Sequence, residues 1–111
     1  MCIFCLISEG KVASNFVYQD EELFAIRDLS PKAPTHILII PRKHIACLAE
    51  VEEADYPLLG RINALAIKLA EQEGIAESGY RLTNNCRPDS GQEVPHLHYH
   101  LLGGRILGDI C

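Results

Sequence analysis

Residues able to do chemistry concentrate in one stretch, His96-Leu97-His98-Tyr99-His100-Leu101-Leu102. Along an extended chain side chains alternate, so His96, His98 and His100 share one face while Leu97, Tyr99 and Leu101 share the other. Successive histidines then stand about 6.6–6.8 Å apart along the backbone. Three uses are open to such a row. It can be the polar face of a half-buried strand, although histidine is an uncommon choice there. It can bind a metal, since imidazole is a common ligand. Or it can attack phosphorus: at neutral pH much of the imidazole is unprotonated, and a carbonyl bound to one ring nitrogen leaves the other as a nucleophile. A neighbouring histidine can then give a proton to the leaving group.

A second set is Cys2-x-x-Cys5, the spacing of half a zinc site, which also suits two small buried thiols in a short helix. Five cysteines is an odd count, and the first residues carry neither a basic region nor a long apolar run. No secretory signal is expected, and reduced thiols in a cytoplasmic protein are. Cys47, Cys86 and Cys111 have no partner in the pattern.

The elements that must position these groups follow from pattern. Ile3 to Ser8 suits a short helix stopped by Gly10. Asn15 to Gln19 and Leu23 to Arg27 suit a hairpin, and Asp28-Leu29-Ser30-Pro31 breaks it. Thr35 to Ile40, between Pro34 and Pro41, is nearly all apolar, as in a strand buried on both faces. Leu58, Leu59, Ile62, Leu65, Ala66 and Leu69 line one side of a long helix, with acidic residues at its start, Pro57 in its first turn and Gly74 at its end. Tyr80 to Asn84 suits a strand, Cys86 to Gly91 a loop, and His96 to Leu102 the last strand. The expected fold class is α+β: a mostly antiparallel sheet of about five strands, one long helix and a short N-terminal helix.

The 111 residues allow one domain, 1–111, large enough to fold without disulfide or metal. Hydrophobic residues are 48% and the net charge is −5, which excludes a disordered chain and a general binder of nucleic acid or anionic membrane. No apolar run approaches the roughly 20 residues that cross a bilayer.

The histidine row resembles the motif of the histidine triad (HIT) superfamily of nucleotide hydrolases and transferases. So do Asp28-Leu29-Ser30-Pro31-Lys32-Ala33-Pro34-Thr35-His36 with the run after it, and Gly91-Gln92-Glu93-Val94 before the row. Leu102-Gly103-Gly104-Arg105 is similar to the nucleotide-binding-protein branch, the purine nucleoside phosphoramidases. The resemblance implies a HIT-like fold, a homodimer and cleavage of a P–N bond through a nucleotidyl-histidine intermediate. A zinc-containing regulatory nucleotide-binding module and a dinucleoside polyphosphate hydrolase are the alternatives.

By the same resemblance, His98 is the nucleophile, His100 serves the phosphoryl oxygens and the leaving amine, and His96 and His44 support them. Asp28 would hold the ribose, Ile26 and Leu29 would wall the base, and Asn85 with the Gly91-Gln92 turn would meet the phosphate. Exposed backbone N–H groups of a glycine turn suit developing negative charge. Glu93 stands where many members carry a phosphate-contacting serine, so it turns away or acts on the leaving amine. Pro95 replaces a frequent aromatic. Cys2, Cys5, His44 and His96 match a closed zinc set, structural in kind.

Overall fold

The computed structural model describes residues 2–109; Cys111 lies outside the described residues. A helix α1 (Ile3–Ser8) leads into strands β1 (Phe16–Gln19), β2 (Leu23–Arg27) and β3 (Thr35–Pro41). Helix α2 (Tyr56–Gln72) follows, then β4 (Tyr80–Asn84) and β5 (Tyr99–Gly103). The strands form one sheet in the order β1-β2-β3-β5-β4, antiparallel at every pairing. The α+β class and the five strands agree with the sequence expectation.

Strand alternation divides the core. Leu23, Ala25, Ile37, Ile39, Leu97 and Leu101 pack with Leu58, Ile62, Leu65, Ala66 and Leu69 of α2. The opposite parity, Phe24, Ile26, Leu38 and Ile40, packs under Phe4 and Ile7 of α1. β3 is buried along its whole length because both faces are covered. His36 and His100 take the parity of Leu38, and so face the α1 side.

The long helix starts from a reciprocal cap. Glu52 and Asp55 bond each other's backbone, and Lys43 Nζ lies 2.6 Å from Asp55. Pro57 falls in the first turn, where its missing N–H costs nothing. Gly103, the last residue of β5, and Gly104 after it are packing requirements. A Cβ on Gly103 would sit 2.6 Å from Ile75, and one on Gly104 2.8 Å from Pro34.

One expected boundary is corrected. The last strand begins at Tyr99, not His96. β4 ends at Asn84 opposite Tyr99, so residues 96–98 have no strand beside them there. Their backbone is held otherwise, with His96 N–H on the Val94 carbonyl (2.8 Å) and Leu97 N–H on the Ile45 carbonyl (2.6 Å).

Candidate active site and metal centre

Backbone groups assign the proton on each imidazole. Lys32 N–H donates to His36 Nδ1 at 3.0 Å, so the His36 proton is on Nε2. His36 Nε2 lies 2.9 Å from His100 Nδ1 and donates to it, which places the His100 proton on Nε2. His98 Nδ1 donates to the His96 carbonyl at 2.7 Å, leaving Nε2 with a free lone pair. His96 Nε2 donates to the Pro41 carbonyl at 2.7 Å, which turns its Nδ1 lone pair towards Cys2 and Cys5. The result is one bare nitrogen on His98 beside a neutral N–H donor on His100, with ring centroids 5.1 Å apart.

Burial favours the neutral form of three rings, His36, His96 and His100. Burial, then the neighbouring His98 and His36, pushes His100 down to about 4. Burial also pushes His36 and His96 below the usual histidine range. A neutral His100 at pH 7 donates hydrogen bonds without competing for the proton of its neighbour.

His36, His98 and His100 border a cavity of ≈ 470 Å³ that also meets Asp28, Lys32, Asn85, Gly91 and Glu93. Asp28 keeps one oxygen on Ser30 N–H at 2.7 Å and holds the other 3.6 Å from His36 Nε2, so it serves both a turn and the cavity. Leu29 stands at the rim, 97% exposed. Ile26 is not on the cavity wall; strand parity buries it in the apolar layer beneath α1. Gln92 does not reach the cavity either. Its carbonyl oxygen accepts Arg87 N–H (2.6 Å) and its amide donates to Ala46 and Val94 (both 2.9 Å), so the side chain clamps the loop.

Three residues at this site carried no signal strong enough to be chosen from sequence. His36 was hidden in an apolar run, where a lone polar residue at the parity of Leu38 was the available clue. Asn84, at the end of β4, donates Nδ2–H to the His98 carbonyl at 2.9 Å and holds the His98 backbone where the ladder stops. Its Oδ1 is buried with no partner among the described residues. Phe4 packs edge-on against both His96 and His98, at 5.7 and 5.0 Å.

Behind the cavity, Cys2, Cys5, His44 and His96 bring four donor atoms within 4.8 Å of one another, a group able to hold a metal ion. The helix start makes this possible: Cys2 caps α1, and its Sγ accepts Cys5 N–H at 3.4 Å, which puts both sulfurs on one turn. Burial, then the adjacent Cys2, pushes the Cys5 thiol up. Asp28, His36 and His100 also converge, but the hydrogen bonds above already account for His36 and His100.

An antiparallel α+β sheet with an imidazole-walled cavity on its α1 side defines the class of protein. A family model described as the HIT domain matches residues 9–107. A purine nucleoside phosphoramidase of Escherichia coli (strain K12) is 53% identical over 106 residues, covering 96% of this chain and 89% of that protein. The crystal structure of a HIT family hydrolase from Legionella pneumophila superposes with a TM-score of 0.93 at 47% identity, covering 97% of this chain and all (100%) of that one. A HIT family hydrolase from Clostridium thermocellum gives 0.94 at 49%, covering 97% and 94%. This chain belongs to the HIT domain family. Among the described residues, no helix is long and apolar enough to cross a membrane.

Proposed function

We propose that the chain is a hydrolase that cleaves the P–N bond of purine nucleoside 5′-phosphoramidates, with His98 as nucleophile. The observation that carries this reading is the 2.7 Å bond from His98 Nδ1 to the His96 carbonyl, which leaves Nε2 bare towards the cavity. The name of the Escherichia coli relative supports the substrate class.

In the first step His98 Nε2 forms a bond to phosphorus. The P–N bond breaks, its electron pair stays on the amine nitrogen, and a proton taken up from solvent completes the amine while the neutral His100 Nε2–H hydrogen-bonds the departing group. In the second step water attacks phosphorus, the bond to His98 breaks with its electron pair returning to Nε2, and the water proton is released to solvent. Asn85, the Gly91 turn and the His100 N–H supply donors for the phosphoryl oxygens, and Asp28 takes the ribose.

Cys2, Cys5, His44 and His96 are proposed to hold zinc. Tetrahedral zinc bonded to two nitrogens and two sulfurs sets its ligand atoms about 3.3–3.8 Å apart. Here His44 Nδ1 to His96 Nδ1 is 3.1 Å, and the sulfur–nitrogen pairs Cys2–His96, Cys5–His44 and Cys5–His96 are 3.2, 3.3 and 3.6 Å. The ion would tie α1 to the histidine segment. A homodimer fits the open edge of β4, whose Tyr80 is 40% exposed. The free thiols of Cys47 and Cys86 suit a cytoplasmic setting.

The test is intact-protein mass after rapid mixing with adenosine 5′-phosphoramidate. The expected result is a transient nucleotidyl adduct on wild type and none on His98→Ala. If AMP forms without a trapped adduct, loss of turnover in His98→Ala supports the reading and retained turnover overturns it. A folded wild type giving neither adduct nor AMP overturns it outright.

A further inference from the structure

Glu93 puts a carboxylate on the wall of a cavity otherwise suited to anions, and it has no ion-pair partner within 4.0 Å among the described residues. Where it sits relative to the reacting groups follows from strand register. Asp28 N–H bonds the His36 carbonyl, and His36 stands opposite Leu102. Asn84 stands opposite Tyr99, so Asn85 is level with His98. From Leu102 to His98 the chain runs four residues, about 13 Å in an extended strand. The ribose acid and the 85–94 loop therefore lie at opposite ends of the histidine row.

Attack at phosphorus is in line, so the amine departs away from His98 Nε2. The nucleoside fills the Asp28 end. The amine must leave by the other end, where Glu93 is the acidic group on the wall. Glu93 also borders a second hollow of ≈ 340 Å³, walled by Cys47, Glu50, Arg87, Pro88 and Pro95. That volume lies within the roughly 300–1,000 Å³ range of small-ligand sites.

The backbone on both sides of Glu93 is fixed. Gln92 bonds Arg87 on one side and Val94 on the other, and the Val94 carbonyl also accepts His96 N–H. Glu93 therefore sits on a held stretch of backbone and lines both spaces. Facing a phosphoryl anion it would repel, but facing an ammonium one chain-length beyond the scissile nitrogen it attracts. Arg87 borders the same hollow without pairing to Glu93, and Glu50 adds a second carboxylate there.

We infer that Glu93 and the hollow beside it form a leaving-group subsite that selects amines carrying a second positive charge, such as diamines. This rests on the phosphoramidase reading. The selectivity is electrostatic and set at the rim, so it weakens with salt.

The test compares two AMP phosphoramidates of matched length: one made with 1,4-diaminobutane, leaving a free ammonium, and one with n-pentylamine. The wild type is expected to favour the diamine adduct by about fivefold in kcat/KM at low salt, the size of a well-placed exposed ion pair. The ratio falls towards one in Glu93→Gln and in 0.5 M salt (about 4 Å Debye length). A wild type that hydrolyses both adducts equally, or a ratio that survives Glu93→Gln, overturns the subsite and leaves the phosphoramidase reading standing. A folded wild type that hydrolyses neither adduct overturns that reading itself. Thermal unfolding of Glu93→Gln separates loss of fold from loss of selectivity.

Discussion

Two imidazole clusters lie back to back in this molecule. In the cavity, His98, His100 and His36 pass hydrogen bonds to one another and leave one nitrogen bare. Behind it, His44 and His96 turn their Nδ1 atoms on each other and on two sulfurs. His96 belongs to both: its ring serves the cysteine cluster, and its carbonyl sets the tautomer of His98. The same side chain becomes a ligand or a nucleophile according to which ring nitrogen the backbone occupies. A carbonyl on Nε2 leaves His96 Nδ1 for the cysteine cluster, whereas a carbonyl on Nδ1 leaves the His98 Nε2 lone pair free.

The sharpest way to break that division is His98→Ala. Turnover is expected to fall by about 10⁴-fold or more, as for loss of other covalent nucleophiles, while AMP binding measured by calorimetry persists. A rate that stays within tenfold of wild type would assign the attack elsewhere.

The other cluster should respond in stability. With zinc at about a thousand times its dissociation constant, an ion held by this cluster would contribute about 4 kcal/mol. Chelation, or Cys2→Ser with Cys5→Ser, is expected to remove one equivalent of metal and to lower the melting temperature by more than about 10 °C. Metal analysis that finds no bound ion, or a melting curve indifferent to chelator, would return the four side chains to a hydrogen-bonded thiol–imidazole group.

His36 tests the relay between rings. His36→Asn deprives His100 Nδ1 of its donor and lets the tautomer switch. A drop in kcat of about 10–100-fold with little change in KM is expected, the usual cost of losing an orienting partner. An equal loss in KM would mean that His36 acts on binding.

The smallest effect is a pH slope. His100 titrates at about 4 in the folded chain, below the ordinary histidine value of about 6.5. Between those values the unfolded chain binds more protons, so stability is complete above pH ~6.5 and is lost as pH falls towards ~4. His36 and His96 are displaced the same way. Denaturant midpoints measured across that window should fall on acidification, and His100→Gln should flatten the slope without abolishing it. A slope that His100→Gln leaves unchanged would separate His100 from the effect.

Much of this was legible in the residues. Period and punctuation gave every helix and strand to within a few residues, because β3 has to be apolar on both faces and α2 on only one. The histidine row and Cys2-x-x-Cys5 were legible from residue type and spacing, whereas Asp28, Asn85, Glu93 and His44 were picked out only through the family resemblance. Gln92 and Ile26 were legible only as neighbours of chemistry. The Gln92 amide was taken by three backbone groups, two nearby and one on distant Ala46, and the side chain of Ile26 fell on the buried face.

What sequence determined by itself was the inventory: which side chains can ligate or attack, and which face of each element carries them, since alternation and helical period are local properties. What only the tertiary structure decided was the proton on each ring. Lys32 N–H on His36, the Pro41 carbonyl on His96 and His36 Nε2 on His100 join positions 4, 55 and 64 residues apart. The longer links exist only once β3 and the histidine segment lie side by side. An imidazole has two nitrogens of nearly equal basicity, so nothing within the residue chooses between them, and the partner that the fold supplies makes the choice.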